Sequence, residues 1–201
     1  MKPSTLLLFY DKDPYFSREL LKSIKPFLPE KFNVHLSPGL TDVFGEENII
    51  KDYGHNYSMI LNGNPETVSD NNIRRLKISD LQILKELYAF SYPDNWFDSR
   101  MVETGKYYGY FLEKRLVGVS GVYVYSSEYR IAALGNIATH PDFRGQKIAY
   151  KLTSVLCNDL KKSVDIIGLN VNSENSAAIK CYENIGFKIR SSYDECFILN
   201  N

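Results

Sequence analysis

The chain has 201 residues, 44% of them hydrophobic, which suits one large domain or a main domain with a small appended one. Lys plus Arg and Asp plus Glu number 24 each, so no global field recruits nucleic acid or an anionic membrane. The longest apolar runs fall short of the roughly 18 residues that span a bilayer, and Cys157, Cys181 and Cys196 lack the CxxC or Cys/His spacing of a metal site. The expectation is a cytoplasmic protein with reduced thiols, acting on small molecules rather than on nucleic acid or membrane.

In chain order, residues 4 to 10 read as a buried strand that ends at Asp11-Lys12-Asp13, not as a signal segment. Residues 17 to 28 carry Leu20, Leu21, Ile24, Phe27 and Leu28 at helical spacing, and Phe32 to Leu36 alternate as a short strand. Another strand, Tyr57 to Leu61, runs into the breaker-rich Asn62-Gly63-Asn64-Pro65. The boundary is placed here, giving a small α/β extension over 1–65 and a main domain over 72–201. Ile73 to Ile78 alternate as a strand, and Ser79 or Asp80 caps a helix with Leu81, Leu84, Leu87 and Phe90 on its apolar face, ending before Pro93. A shorter helix is expected through Trp96 to Val102. Tyr107 to Leu112 then turns through Glu113-Lys114-Arg115 into Leu116 to Tyr125 as a hairpin. A strand over 129–139, a helix over 146–161, a strand over 164–171, a helix over 175–185 and two short strands complete the order. The fold class is α/β of the mixed α+β kind, with a mixed sheet flanked by helices.

Two segments carry chemistry. In Asn136-Ile137-Ala138-Thr139-His140-Pro141-Asp142-Phe143-Arg144-Gly145-Gln146-Lys147-Ile148-Ala149-Tyr150 a strand passes through a tight Arg-Gly loop into a helix. A helix N-terminus leaves N–H groups unpaired and carries partial positive charge, so the amides of Gly145 to Tyr150 are candidates to hold a pyrophosphate. An ordinary helix start with a chance Arg-Gly is the alternative; neither a Walker loop nor a dinucleotide fingerprint is present. In the second segment, Leu169 to Phe187, a strand and loop lead to a helix ending at Gly186. Asn175 and Tyr182 are seven residues apart, hence on one helical face with Ala178 between them. Taken alone, Asn175 reads equally as a helix cap and Tyr182 as a core tyrosine.

Together, in this order and spacing, the segments resemble the acyl-CoA loop and catalytic helix of the GNAT superfamily of N-acetyltransferases. The likeness covers roughly residues 72 to 199 and extends through Tyr92-Pro93-Asp94-Asn95-Trp96-Phe97 and Leu116-Val117-Gly118. It looks most like a predicted GNAT acetyltransferase branch with a short N-terminal extension. The resemblance implies a sheet splayed between the strands at 129–139 and 164–171, with acetyl-CoA (CoA) as cosubstrate and no metal. Ile137 and Thr139, flanking Ala138, would pair with the pantetheine arm. Arg144 and the amides of Gly145, Gln146, Lys147, Ile148, Ala149 and Tyr150 would surround the pyrophosphate, Asn175 would contact the cofactor arm, and Tyr182 would protonate the leaving thiolate.

Two positions depart from the family pattern. Lys147 stands where Gly is usual, and is expected to be tolerated as an ordinary first-turn residue with φ near −60°. Asn170 stands where some relatives have a Glu base, which leaves Glu103 and His140 as other candidate bases, though each reads first as a surface or loop-structuring residue, and favours an acceptor of low pKa: an α-amine needs about 1 kcal/mol to become neutral at pH 7, a lysine near 4.6. The implied partner is an amine acceptor, a small molecule or a peptide N-terminus, and a homodimer is possible. A non-catalytic acyl-CoA sensor is the alternative function. The aromatics Tyr92, Trp96, Phe97, Tyr107, Tyr108 and Tyr110 would line an acceptor pocket or pack helices on the sheet.

Overall fold

A computed structural model describes residues 6–9, 14–93 and 95–200, with side chains from residue 15 on. The strands are β1 (Leu6–Phe9), β2 (Lys31–Leu36), β3 (Ile49–Leu61), β4 (Ile73–Arg75), β5 (Tyr108–Leu112), β6 (Arg115–Ser126), β7 (Ile131–Thr139), β8 (Ile166–Asn172) and β9 (Phe187–Leu199). The helices are α1 (Pro14–Ile24), α2 (Leu81–Ser91), α3 (Arg100–Glu103), α4 (Ile148–Leu160) and α5 (Ser176–Ile185). The chain divides into two compact units, one made of the residues up to Ser58, Val171–Ser176 and the residues from Ile189 on, the other of Met59–Asn170 and Ala177–Lys188.

In the first unit the strand order is β1-β2-β9-β3, with β1 parallel and β9 antiparallel to β2. Alternation along β2 turns Phe32, Val34 and Leu36 inward, where they pack with Leu21, Leu40, Phe44, Cys196 and Ile198. Residues 1–5 and 10–13, which carry the ends of the strand expected over 4–10, lie outside the described residues. The strand expected at 57–61 begins at Ile49, because the polar run Lys51-Asp52-Tyr53-Gly54 is mostly exposed and gives no apolar alternation to read. The two short terminal strands are one strand, β9; its polar, exposed stretch at Arg190-Ser191-Ser192 imitates a break.

In the second unit the order is β8-β7-β6-β5-β4. The pairs from β4 to β7 are antiparallel and β7–β8 is parallel, which makes the sheet mixed. Strand β6 is buried without interruption from Leu116 to Val122, so both of its faces are covered. Helix α4 covers the face of Gly118 and Ser120: a Cβ on Gly118 would lie 2.5 Å from Ile148 Cγ2, and Ser120 Oγ is 3.3 Å from Thr153 Oγ1. The helix buries Ile148, Leu152, Leu156 and Leu160 at four-residue intervals, each contributing about 1.5–3 kcal/mol. The helix expected over 96–102 shrinks to α3, since Asp98 Oδ1 accepts the Arg100 N–H at 2.9 Å and forms a cap-like turn instead. The strand expected to reach Ile78 stops at Arg75 because Asp80 Oδ2 takes the Lys77 N–H at 2.8 Å and starts a turn.

Register shifts set the shape around β7. Gly121 pairs with Gly135 and Val119 with Ala138, so β7 holds one extra residue at Asn136–Ile137, while β6 holds one at Tyr123. Beside β8, pairing runs only from Ile131–Ile166 to Leu134–Leu169; β7 continues to Thr139 with no β8 partner, which is the splay. Tyr107 is fully buried, and a Cβ on Gly121 would fall 2.3 Å from its ring. Gly121→Ala is therefore expected to destabilise the protein by about 1–3 kcal/mol, read as a lowered denaturation midpoint.

Candidate active site

The bulge in β7 is held by side chains. Asn136 has φ +56°, a left-handed conformation that Asn tolerates better than most residues. Its backbone carbonyl accepts from Tyr88 Oη at 2.9 Å, and its Nδ2 donates to Tyr107 Oη at 2.8 Å. Tyr107 in turn donates to the Val122 carbonyl at 3.1 Å. Burial pushes both phenols above the ordinary tyrosine value, so they stay neutral hydrogen-bonding groups. Sequence reasoning missed this trio; a polar Asn inside an apolar strand was the available signal.

From the bulge, Ile137, Ala138 and Thr139 run on as the parted end of β7. They pair with β6 through Val119–Ala138 and Gly118–Thr139, and their other edge has no β8 partner. The chain then turns. His140 N–H donates to the Val117 carbonyl at 2.9 Å, and the ring lies buried and stacked on Phe90 at 4.7 Å. Arg115 Nη2 is 2.6 Å from His140 Nε2, and the Asp142 N–H is 3.3 Å from His140 Nδ1, so both ring nitrogens are engaged within the loop. His140 thus ties the loop together and is not placed as a free base. Glu103 is exposed on α3.

Arg144 folds back so that Nε donates to the Thr139 carbonyl at 3.3 Å. Gly145 follows with φ +78° and Lys147 with φ +59°, ψ 20° at the cap of α4. This corrects the expectation for Lys147: it precedes the first helical residue, Ile148, and occupies a left-handed conformation that glycine adopts at no steric cost. Among the described residues, the amides of Gly145, Gln146, Lys147, Ile148, Ala149 and Tyr150 donate to no acceptor; the first helical bond runs from Lys151 N–H to the Lys147 carbonyl at 3.0 Å. The first turn carries no acidic side chain. Successive unpaired amides at a helix start form a concave anion site. The pyrophosphate fits this donor set: a Cβ built on Gly145 meets nothing within 4 Å.

Tyr182 lies on α5, buried, its ring 6.1 Å from Phe187 in an edge contact. Its hydroxyl has no hydrogen-bond partner among the described residues. Burial above all, then the neighbouring Cys181, Tyr92 and Tyr123, holds its pKa above the ordinary phenol value. Asn175 is exposed and immediately precedes α5, with its N–H on the Asn172 carbonyl at 3.0 Å. Asn170 is exposed. The cysteines are free, and burial pushes Cys157 up to about 12 and Cys181 to about 11. Among the described residues no group of His, Cys, Asp and Glu is arranged to hold a metal, and no helix is long and apolar enough to cross a membrane.

Residues 72–187 match the model of the acetyltransferase (GNAT) family. The chain belongs to this family. Solved structures agree in fold. A GNAT-family acetyltransferase from Novosphingobium aromaticivorans superposes with TM-score 0.69 at 20% identity, over 90% of this chain and 80% of that one. A GNAT acetyltransferase from Colwellia psychrerythraea gives TM-score 0.66 at 16% identity, over 94% and 74%. The ribosomal-protein-S18-alanine N-acetyltransferase of Escherichia coli gives 0.50 at 21%, over 63% and 90%. No curated protein matches the chain.

A left-handed lysine costs roughly 1–2 kcal/mol, against roughly 0.5–1 kcal/mol for the greater chain entropy that glycine gives up. Lys147→Gly is therefore expected to raise the stability of this GNAT protein by up to about 1 kcal/mol in urea unfolding without ligand. A loss of stability would show that the lysine side chain makes compensating contacts.

Proposed function

We propose that the chain transfers an acetyl group from acetyl-CoA to a primary amine by direct attack, with Tyr182 as the acid. The observation that carries this reading is the set of unpaired amides from Gly145 to Tyr150 at the N-terminus of α4, a helix with no acidic residue in its first turn. When bound there, the cofactor supplies an activated thioester carbonyl. The parted edge of β7 from Ile137 to Thr139 offers backbone groups to the pantetheine amides, and Arg144 lies between that edge and the amides of the loop.

In the transfer the amine nitrogen forms a bond to the carbonyl carbon, the carbon–sulfur bond breaks, and the amine gives its proton to solvent. Tyr182 gives its proton to the departing sulfur and recovers one from solvent. A phenol held neutral by burial is always protonated at working pH. The same burial that raises its pKa raises the basicity of a thiolate leaving nearby, as the buried cysteines of this fold illustrate. Donor and acceptor therefore rise together and the proton transfer keeps its driving force.

CoA should raise the melting temperature, with a stabilisation of about 2.7 kcal/mol at a hundredfold excess over Kd. Gly145→Pro should abolish that shift, because proline removes one donor and requires φ near −65° where the chain has +78°. An unaltered shift in a folded Gly145→Pro variant moves the phosphate site elsewhere.

Tyr182→Phe should leave the melting temperature and CoA affinity nearly unchanged and lower kcat by about 10² or more. No partner among the described residues loses a hydrogen bond when the hydroxyl goes, so a stability loss is not expected. Near-normal turnover would remove Tyr182 from the chemistry.

A further inference from the structure

The second unit holds a cavity of about 270 Å³ whose lining includes Thr67, Val68, Arg75, Tyr108, Asp159 and Lys162. Its floor is the last turns of α4, and its sides are the ends of β4 and β5 and the segment that joins β3 to β4. Asn158 Nδ2 holds that segment to the helix through the Glu66 carbonyl at 3.0 Å, and Lys151 Nζ does so through Asp70 at 2.8 Å. At just under the roughly 300–1,000 Å³ of small-molecule pockets, the space suits a small ligand.

Charge around the cavity does not balance. Lys106 Nζ lies 2.9 Å and Arg75 Nη2 3.1 Å from one oxygen of Asp159, and Lys162 Nζ lies 4.0 Å from the other. Burial works against the Asp159 charge, but the Lys106 hydrogen bond and the charges of Lys106 and Arg75 hold its carboxyl below the ordinary value, so it is ionised. Three cations thus share one carboxylate. Among the described residues none of the three has another carboxylate in ion-pair range. The carboxylates of the joining segment are engaged elsewhere, Glu66 with the Tyr150 hydroxyl at 2.9 Å and Asp70 with Lys151 and the Tyr110 hydroxyl at 3.1 Å. The side chains of Lys106 and Asp159 are only 13% exposed, and charge held out of water is costly unless it is paired.

Unused donors belong to the same residues. Arg75 commits Nη2 to Tyr108 Oη at 2.9 Å and to Asp159, while its Nη1 and Nε groups meet no acceptor among the described residues. The N–H groups of Thr67 and Val68 and the Thr67 hydroxyl likewise donate to none. A guanidinium fork, an ammonium, main-chain N–H groups and a hydroxyl are a donor set that takes a phosphate. We infer that this cavity binds a small phosphate-bearing anion, at a site separate from the amides that open α4. Asp159 lies roughly 16 Å along the helix from Ile148, at 1.5 Å per residue. A dianion matches the two unmatched positive charges, whereas a monocarboxylate leaves one. The site does not depend on the acetyl-transfer reading.

Inorganic phosphate titrated into the isotope-labelled protein should move the amide NMR resonances of Thr67 and Val68 saturably. The shifts should persist when CoA occupies the amides from Gly145 to Tyr150, and sodium chloride at the same ionic strength should not reproduce them. Lys162→Gln, at a side chain 78% exposed, should weaken the binding about two- to fivefold. Arg75→Gln should weaken it about tenfold or more. Asp159→Asn should tighten it about fivefold or more while lowering the melting temperature, because the carboxylate that competes for the same cations is gone. A purely structural ion cluster gives no such gain. Glycerol phosphate binding more tightly than inorganic phosphate assigns the site to phosphate esters, and the reverse assigns it to free phosphate. Shifts confined to Gly145–Tyr150, equal shifts with chloride, or a binding constant unchanged in both Lys162→Gln and Arg75→Gln overturn the inference.

Discussion

The hydrogen bond from Asn136 Nδ2 to Tyr107 Oη, 2.8 Å long, secures the distortion from which the rest of the second unit takes its form. Asn136 adopts a left-handed backbone inside a strand, a conformation that persists only where surrounding contacts over-determine it. Here two phenols and one carbonyl do so: Tyr88 holds the main chain, Tyr107 holds the side chain, and Val122 anchors Tyr107. With the extra residue fixed at this point, β7 stays paired to β6 but parts from β8 after Leu134. A backbone edge is thereby left open inside an otherwise continuous ladder. Such an edge has donors and acceptors to offer an extended ligand.

Tyr88, Tyr107 and Tyr182 are all held protonated by burial, and the first two are committed to structural hydrogen bonds. Tyr182 differs because its hydroxyl has no partner among the described residues, so its proton is not already engaged. Three chemically identical side chains thus divide into two that hold the fold and one that is available, and the division follows from what surrounds each oxygen.

How much of this could be read in the sequence depends on what kind of information each element needed. Strand β2 and helix α4 were legible because a single buried face imposes a period of two or of about 3.6 on the chain. The loop from His140 to Gly145 was legible through Pro141 and Gly145, residues suited to a turn, and helix α5 through its end at Gly186. Strand β3 was not fully legible, since its first half is exposed and polar, nor was the continuity of β9. The role of Asn136 was hidden for another reason: its partners Tyr88 and Tyr107 are 48 and 29 residues away, and no local pattern encodes them. His140 illustrates the converse, a residue with the chemistry of a base that Arg115 and Phe90 turn into a fixed part of the loop.

Lys147 shows why a departure from a family pattern is hard to judge without a backbone. In a helical conformation a lysine there would be unremarkable, but the structure places it left-handed, two residues after a left-handed Gly145. The strain of that conformation, about 1–2 kcal/mol, lies in the segment whose amides face outward unpaired. A loop relaxed into helical geometry through Lys147 would aim those amides along the axis of α4 and close the concavity that Gly145 opens. The glycine usual at this position is thus explained by backbone conformation rather than by the room a side chain would occupy, since Lys147 is exposed. It follows that the lysine's cost falls on the folded loop with or without ligand, and that the donors themselves, being main-chain groups, survive the substitution.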